Sequence, residues 1–277
     1  MQKLSVFVTT YNNEETLSAC LASLSFADEI LVLDSLSTDA TREIAASYDA
    51  RVTQNVFLGY GRQKQLALDQ TKHDWVMFLD ADEMVSMELA EHLNQLKLAG
   101  DLGKNGVAAY EFPRNEQVFW RMSARSTRKN FYIRLFRRDL AQFSQMPVHA
   151  TVEISGAVER VDLSFFHFGE VDIFTKVAKT NAYSSGLVRD KVAKKRSANP
   201  WIMVFYPPFF FVRSYFFKRG FCNGWAGFVA SVIGSFYVFL KYAKLYEHYR
   251  FERNLADSMP AGAPRTKIPL ERFEGPS

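Results

Sequence analysis

Asp80-Ala-Asp82-Glu83 closes the apolar run Trp75-Val-Met-Phe-Leu79. Two carboxylates spaced i, i+2 on a turning backbone can face one point, and hard oxygen donors suit Mg²⁺ or Mn²⁺. A divalent ion there would bridge diphosphate oxygens and stabilise the charge on a departing nucleoside diphosphate. The structural alternative is a helix cap, because acids after a strand often begin the next helix and Asp-x-Asp recurs by chance. Two earlier apolar runs also end on polar groups, the first on Thr9, Thr10, Tyr11 and Asn12 and the second on Asp34.

The elements that must position these groups follow from the hydrophobic pattern. Leu4–Thr9, Glu29–Asp34, Arg51–Phe57 and Trp75–Leu79 read as strands. Between them lie helical patterns: Glu14–Leu24 with Asn12 or Asn13 as cap, Ser37 through Ala45 with Ser37 or Thr38 as cap, and Arg62–Gln70. Met87–Leu98 is a further helix. Strand and helix alternating at this spacing predict a mostly parallel sheet covered on both faces. Such sheets bind ligands beyond the carboxyl ends of their strands, where the acids and Tyr11 lie.

Four motifs then stand in order: Thr9-Thr-Tyr-Asn-Asn-Glu-Glu15, Leu33-Asp-Ser-Leu-Ser-Thr-Asp-Ala-Thr41, Gly59-Tyr-Gly-Arg-Gln-Lys-Gln-Leu-Ala-Leu68 and Phe78-Leu-Asp-Ala-Asp-Glu83. In wording and spacing they resemble family 2 glycosyltransferases, inverting enzymes of the Rossmann-like GT-A α/β fold. The resemblance extends to the bacterial group that adds glucose or a similar sugar to the lipopolysaccharide inner core, through those motifs and Lys241-Tyr-Ala-Lys-Leu245. It implies that Thr9 and Tyr11 line a uridine pocket and that Asp34 accepts hydrogen bonds from uracil or ribose. Arg62, with Lys64 as a helper, would lie near the diphosphate. Asp80 would contact ribose or metal, Asp82 would bind the metal directly, and Glu83 would hold the loop or cap the following helix. For Asp34 the alternative is a helix cap; for Arg62 and Lys64 it is a solvated first helical turn.

Further on, Val107–Pro113 and Phe131–Arg137 read as strands, and the basic stretch Arg114–Lys129 between them as an acceptor-side loop. The resemblance also implies a general base here, which takes the proton of the acceptor hydroxyl as its oxygen attacks the anomeric carbon. Core-sugar relatives usually carry Val-His-Glu; this chain has Val148-His-Ala-Thr-Val-Glu153, with Ala150 at the carboxylate position. His149 is then the base, or Glu153 supplies the acid, or the base lies elsewhere. His149 as a structural histidine is the competing reading. His167, inside Phe165-Phe-His-Phe168, is a candidate third metal ligand by the same resemblance, against a packed core histidine.

Charge divides the chain. Its 277 residues carry a formal net charge of +4, yet Lys191–Tyr246 holds nine basic residues and no acid. Gly220–Leu240 is an uncharged run of about the length that crosses a bilayer, to be read as a buried core helix, a membrane span, or an interfacial or re-entrant hairpin. Pro207-Pro208 argues against a regular helix through Asn199–Val212, and with the basic Arg213–Arg219 it favours shallow, monotopic attachment from the cytoplasmic face over a single crossing. Bases without acids favour anionic lipid headgroups, and Trp201, Tyr206, Tyr215, Trp225, Tyr237 and Tyr242 are side chains suited to a membrane interface. Nucleic acid is a poor partner, because it leaves the apolar runs unexplained. Two cysteines, Cys20 and Cys222, argue against a disulfide framework, and the short apolar start is not read as a targeting segment, so the N-terminus is expected in the cytoplasm.

The expected organisation is a glycosyltransferase domain over residues 1–190, membrane-associating helices over 191–250 and a polar, Pro-containing tail over 251–277. The expected activity is metal-dependent (Mg²⁺ or Mn²⁺) inverting transfer from a UDP-sugar to a lipid-linked glycan such as lipopolysaccharide core. The expected place is the cytoplasmic face of a bacterial inner membrane, against its anionic lipids. Two rivals stand beside this: an inactive membrane-bound scaffold, favoured by Ala150, and a Mg²⁺-dependent phosphohydrolase. The latter wants its acid pair after the first strand, not the fourth.

Overall fold

The computed structural model describes residues 1–144, 151–169, 172–197 and 199–252. The chain forms two compact units, Met1–Glu116 with Lys129–Gly169, and Gln117–Arg128 with Glu170–Ser277.

The first unit opens with β1 (Leu4–Thr10), α1 (Leu17–Ala22), β2 (Glu29–Asp34), α2 (Thr41–Ser47), β3 (Arg51–Gln54), α3 (Tyr60–Asp69) and β4 (Trp75–Asp80). Then come β5 (Glu83–Val85), α4 (Met87–Ala99) and β6 (Val107–Val118), whose end and the following β7 (Arg121–Met122) belong to the second unit, and then β8 (Phe131–Arg137), β9 (Ala141–Phe143), β10 (Val152–Ile154), β11 (Ala157–Arg160) and β12 (Phe165–His167) of the first. Sheet order is β3-β2-β1-β4-β8-β6-β12-β5, with β7 and β11 also on β6, and β9 and β10 forming a separate pair. The first four strands are parallel; β8 joins antiparallel to both β4 and β6, so the sheet is mixed.

Strand periodicity explains why both faces are buried. Val6, Val8, Val32, Met77 and Leu79 join one core with Leu17, Leu21 and Leu89 from the helices. Their chain neighbours Phe7, Leu31, Leu33, Val76 and Phe78 point the other way, onto Ala67, Leu68, Phe136 and Phe143. Each fully buried Leu or Phe contributes about 1.5–3 kcal/mol of transfer free energy. Register sets Thr10 beside Asp34 and Thr9 beside Asp80, so three strand ends deliver their polar groups to one edge.

Two expected caps are absent. α1 starts at Leu17 and α2 at Thr41, neither with a side-chain cap. Asn12, Asn13 and Ser37 instead tie the loops after β1 and β2 together. Asn12 N donates to Ser37 Oγ at 2.9 Å, Thr38 N to Asn12 Oδ1 at 2.9 Å, and Asn13 N to Thr41 Oγ1 at 2.8 Å. Loop-to-loop bonding takes the atoms that capping would have used, and shortens both helices.

The second unit contains α5 (Ile173–Ala193), α6 (Pro200–Val212) and α7 (Gly224–Glu252). Contrary to the sequence expectation, α6 runs through Pro207 and Pro208. Asn199 caps it by accepting from Trp201 N, and Pro200 sits in its first turn, where a missing N–H costs nothing. Packing along α7 offsets the two lost backbone bonds: Tyr206 meets Tyr242 at 6.0 Å and Phe211 meets Phe228 at 5.9 Å between ring centroids. These pairs make α6 and α7 an antiparallel hairpin. Gly234 allows the approach, since a Cβ there would fall 2.9 Å from the Phe210 ring. The stretch read as a loop, Arg114–Lys129, begins as the end of β6 and turns back through β7. Its Val118 and Phe119 pack with Ala226 and Ile233 of α7. By length and composition, Gly220–Arg250 is long and apolar enough to cross a membrane. The expected tail lies almost wholly outside the described residues.

Candidate active site

β4 delivers Phe78 and Asp80 to the sheet edge, and a tight turn carries Asp82 and Glu83 into β5. Glu83 folds back, its Oε2 accepting from Asp80 N at 3.1 Å, so it holds the loop as expected. Its side chain is fully buried and needs a cation. Arg134, on β8, supplies one, with a terminal nitrogen 2.7 Å from Glu83 Oε1 and 3.8 Å from Asp80 Oδ2. The Arg134 guanidinium lies 4.3 Å from the Phe78 ring centroid, and the rings of Phe165 and Tyr132 also face it. Lys64, on α3, reaches Asp80 Oδ1 at 2.6 Å.

These cations decide protonation. Burial alone would raise the Asp80 pKa, but Lys64 and then Arg134 outweigh it and bring the carboxyl down to about 2. For Glu83 burial wins and the pKa is raised, with Arg134 pulling against it.

His167 sits between two acids by strand register: β12 pairs it with Glu116 on β6 and with Glu83 on β5. Its Nδ1 is 2.7 Å from Glu116 Oε2 and its Nε2 is 3.3 Å from Asp82 Oδ2. Glu116 also accepts from Arg114 Nε at 2.7 Å. Burial opposes the imidazolium, but Asp82 and Glu116 raise the His167 pKa to about 9. Gly169 makes room for the ring; a Cβ there would lie 2.5 Å from Cε1.

The structure therefore brings Asp80, Asp82, Glu83, Lys64 and His167 into one cluster. Among the described residues no three acid, imidazole or thiol groups converge on one metal-sized point, because Asp80 is turned to Lys64. Asp82 and His167 remain as a facing oxygen–nitrogen pair. Its chemistry fits a borderline-hard divalent ion, and the Glu116 contact to the far ring nitrogen is the usual support of a metal-ligating histidine.

Asp34 is fully buried at the end of β2. Its carboxylate accepts from Ser37 Oγ, from Ser37 N at 3.0 Å and from Gln54 Nε2 at 3.3 Å. Leu36 adopts φ +66° beside it, a left-handed conformation that costs a branched residue about 1–2 kcal/mol. Thr9 is half-buried, Tyr11 is exposed and Arg62 stands exposed in the first turn of α3. Glu153 is exposed on β10, where its neighbours Val152 and Ile154 pack onto the core. His149 and Ala150 lie outside the described residues.

Sequence reasoning passed over Arg134, Arg114 and Glu116. A single cation inside Phe-Tyr-Ile-Arg134-Leu-Phe was the available signal, since a buried guanidinium demands a buried acid.

Residues 5–153 match the profile of "Glycosyl transferase family 2". A lipopolysaccharide core biosynthesis glycosyltransferase, LpsC of Rhizobium meliloti, is 30% identical over 264 residues, spanning 89% of this chain and 93% of its own. An uncharacterized glycosyltransferase of Rickettsia typhi is 29% identical over 271 residues, spanning 93% and 91%. Among solved structures, S. aureus TarS superposes with TM-score 0.45 at 17% identity, over 66% of this chain and 39% of that one. Glucosyl-3-phosphoglycerate synthase from Mycobacterium tuberculosis, solved with Mn²⁺, UDP and phosphoglyceric acid, gives 0.36 at 22% identity, over 50% and 57%. The phosphohydrolase and scaffold readings give way, and the chain is a GT-A-fold glycosyltransferase belonging to family 2.

Proposed function

We propose that this enzyme moves a sugar, with inversion, from a UDP-linked donor to a hydroxyl of a lipid-linked glycan such as lipopolysaccharide core, at the cytoplasmic face of a bacterial inner membrane. The facing pair Asp82 and His167, held at 3.3 Å at the carboxyl edge of the sheet, carries the reading. They would hold Mg²⁺ or Mn²⁺, which supplies Lewis-acid stabilisation of the departing diphosphate, with Asp80 beside them on the ribose side.

The chain's own groups do the rest. Lys64 and Arg134 keep Asp80 ionised and fixed. Glu116 orients the His167 imidazole through Nδ1, which aims Nε2 at the ligand position. Arg62, exposed at the start of α3, meets the diphosphate. Thr9 and Tyr11 form the uridine side, and the buried Asp34 holds the loop beneath them through Ser37. His149 or Glu153 accepts the proton of the acceptor hydroxyl. The acid-free stretch Lys191–Tyr246 and its exposed aromatics keep the enzyme on the surface that carries its acceptor.

Transfer from UDP-sugars to lipid acceptors by wild type and Asp82→Asn tests this. A loss of about a thousandfold in turnover is expected, the several kcal/mol a metal contributes to charge stabilisation. Undiminished transfer would sink the metal assignment.

A further inference from the structure

Bases occupy both ends of the α6–α7 hairpin, and they are answered differently. At the open end each lysine on the helices finds an internal partner. Lys244 Nζ lies among four oxygens at 2.7–2.8 Å, Asn181 O, Asn181 Oδ1, Ser184 Oγ and Ser185 Oγ, which its three N–H groups share. Lys241 lies within 5.7 Å of the Tyr206, Tyr237 and Tyr242 ring centroids, and Lys191 sits 4.5 Å from Tyr242.

The turn end is different. Arg213, Lys218 and Arg219 stand there, and the Gln117–Arg128 strap adds Arg125 and Arg128. Arg128 N donates to Lys218 O at 3.1 Å. Asn223 binds the strap through Ala124 N at 2.7 Å and Thr127 Oγ1. Neither the strap nor Lys191–Tyr246 contains an acid. Among the described residues no carboxylate pairs with any of these five cations, and all but Lys218 are exposed. Burial and then the charges of Arg213 and Arg128 lower the Lys218 pKa, so the like charges feel one another. Around them stand exposed Trp120, Phe216, Phe217, Phe221 and Trp225. A polyanion in water would explain the bases and leave the rings unexplained; a bilayer interface explains both.

Chain length limits how this unit can meet lipid. α6 has 13 residues, about 20 Å of helix, against a hydrocarbon core of about 30 Å. The strap is 12 residues, leaving the first unit at Glu116 and returning at Lys129. Fully extended it reaches about 20 Å out and 20 Å back, too short to follow the turn across a bilayer. Turn-first insertion would drag five unanswered cations into hydrocarbon.

We infer that the α6–α7 hairpin lies in the headgroup plane of an anionic bilayer, with Arg125, Arg128, Arg213, Lys218 and Arg219 binding lipid phosphates and α7 not crossing. This rests on the proposed membrane site of action and the expected shallow attachment, and adds which side chains read the lipid and how the hairpin lies.

Flotation of the full-length enzyme with phosphatidylcholine vesicles, with and without phosphatidylglycerol, tests the first part. The anionic vesicles are expected to bind at least tenfold better, and the gain should fade with added salt. The variant Arg128→Gln/Arg213→Gln/Lys218→Gln/Arg219→Gln should lose that anionic preference, about tenfold or more, while keeping UDP–Mn²⁺ binding by calorimetry, so lipid reading and donor chemistry fail separately. Equal binding to neutral vesicles, or displacement by inorganic phosphate beyond that by chloride at equal ionic strength, overturns the lipid assignment. Depth is read by quenching with lipids brominated near the headgroup or near the bilayer centre, comparing wild type with Trp201→Phe and Trp225→Phe. Both tryptophans, one at each end of the hairpin, should be quenched best by shallow bromines. Trp225 quenched best from the bilayer centre would show a turn-first or crossing helix and overturn the in-plane arrangement.

Discussion

The acid cluster of the first unit and the helical hairpin of the second both concentrate charge, under opposite rules. In the cluster, acids and bases alternate and the buried ones touch: Lys64 to Asp80, Arg134 to Glu83, and His167 between Asp82 and Glu116. Along Lys191–Tyr246 cations stand without acids, answered by rings and hydroxyls at one end and left to the surroundings at the other. Buried charge must be neutralised on the spot, so the cluster is fixed and poised for a small charged ligand. Exposed charge need not be, so the hairpin's bases are available to a large one.

Swapping a cation in each region should break that symmetry most visibly. Arg134→Met removes the nearer of the two cations on the buried Glu83 carboxyl, leaving Arg114 at 3.5 Å, and chemical denaturation should show a loss of about 3 kcal/mol. Arg213→Met, on the exposed turn, should change stability by no more than about 0.5 kcal/mol. Comparable losses would mean that the two regions obey one rule after all.

Next in size is a pH effect confined to the cluster. His167 has a folded pKa of about 9, raised above an unfolded value near 6.5. Its contribution is therefore complete below pH 6.5 and is lost as pH rises through 9. Of the order of 3 kcal/mol is at stake in metal-free protein, and His167→Gln should flatten that part of the stability–pH curve. An unchanged curve would show that the imidazole is not held between its two acids.

A smaller effect separates ligand from support. Glu116→Gln should weaken Mn²⁺ binding by about 10–100-fold, by calorimetry, with UDP binding in the absence of metal unaltered. Gly169→Ala should shift the His167 ring by a few tenths of an ångström or more and weaken Mn²⁺ binding about tenfold or less. Full affinity in Gly169→Ala would mean the ring has room to move without loss.

Much of this arrangement could be read from residues alone, and the exceptions have physical causes. The Asp80–Glu83 turn was visible because an apolar strand ending in three acids has few explanations, and the parallel sheet followed from period-two runs spaced by helical patterns. Caps at Asn12, Asn13 and Ser37 were misplaced because local hydrogen-bonding residues can bond across loops as readily as within one. The helix through Pro207-Pro208 was missed because the packing of Tyr206, Phe210 and Phe211 on α7 is invisible to local propensity. Glu116 was missed because its partner lies 51 residues away and is fixed only by strand register.

In the proposed mechanism Asp82 and His167 together hold the divalent ion that meets the donor diphosphate. Pulsed electron paramagnetic resonance of Mn²⁺ bound with UDP, on protein labelled with ¹⁵N-histidine, tests it most directly. The account predicts a manganese–nitrogen coupling that follows the histidine label, vanishes in His167→Ala, and is lost with Mn²⁺ binding itself in Asp82→Asn. A Mn²⁺–UDP complex of full affinity with no histidine coupling, or one that survives in Asp82→Asn, would contradict it.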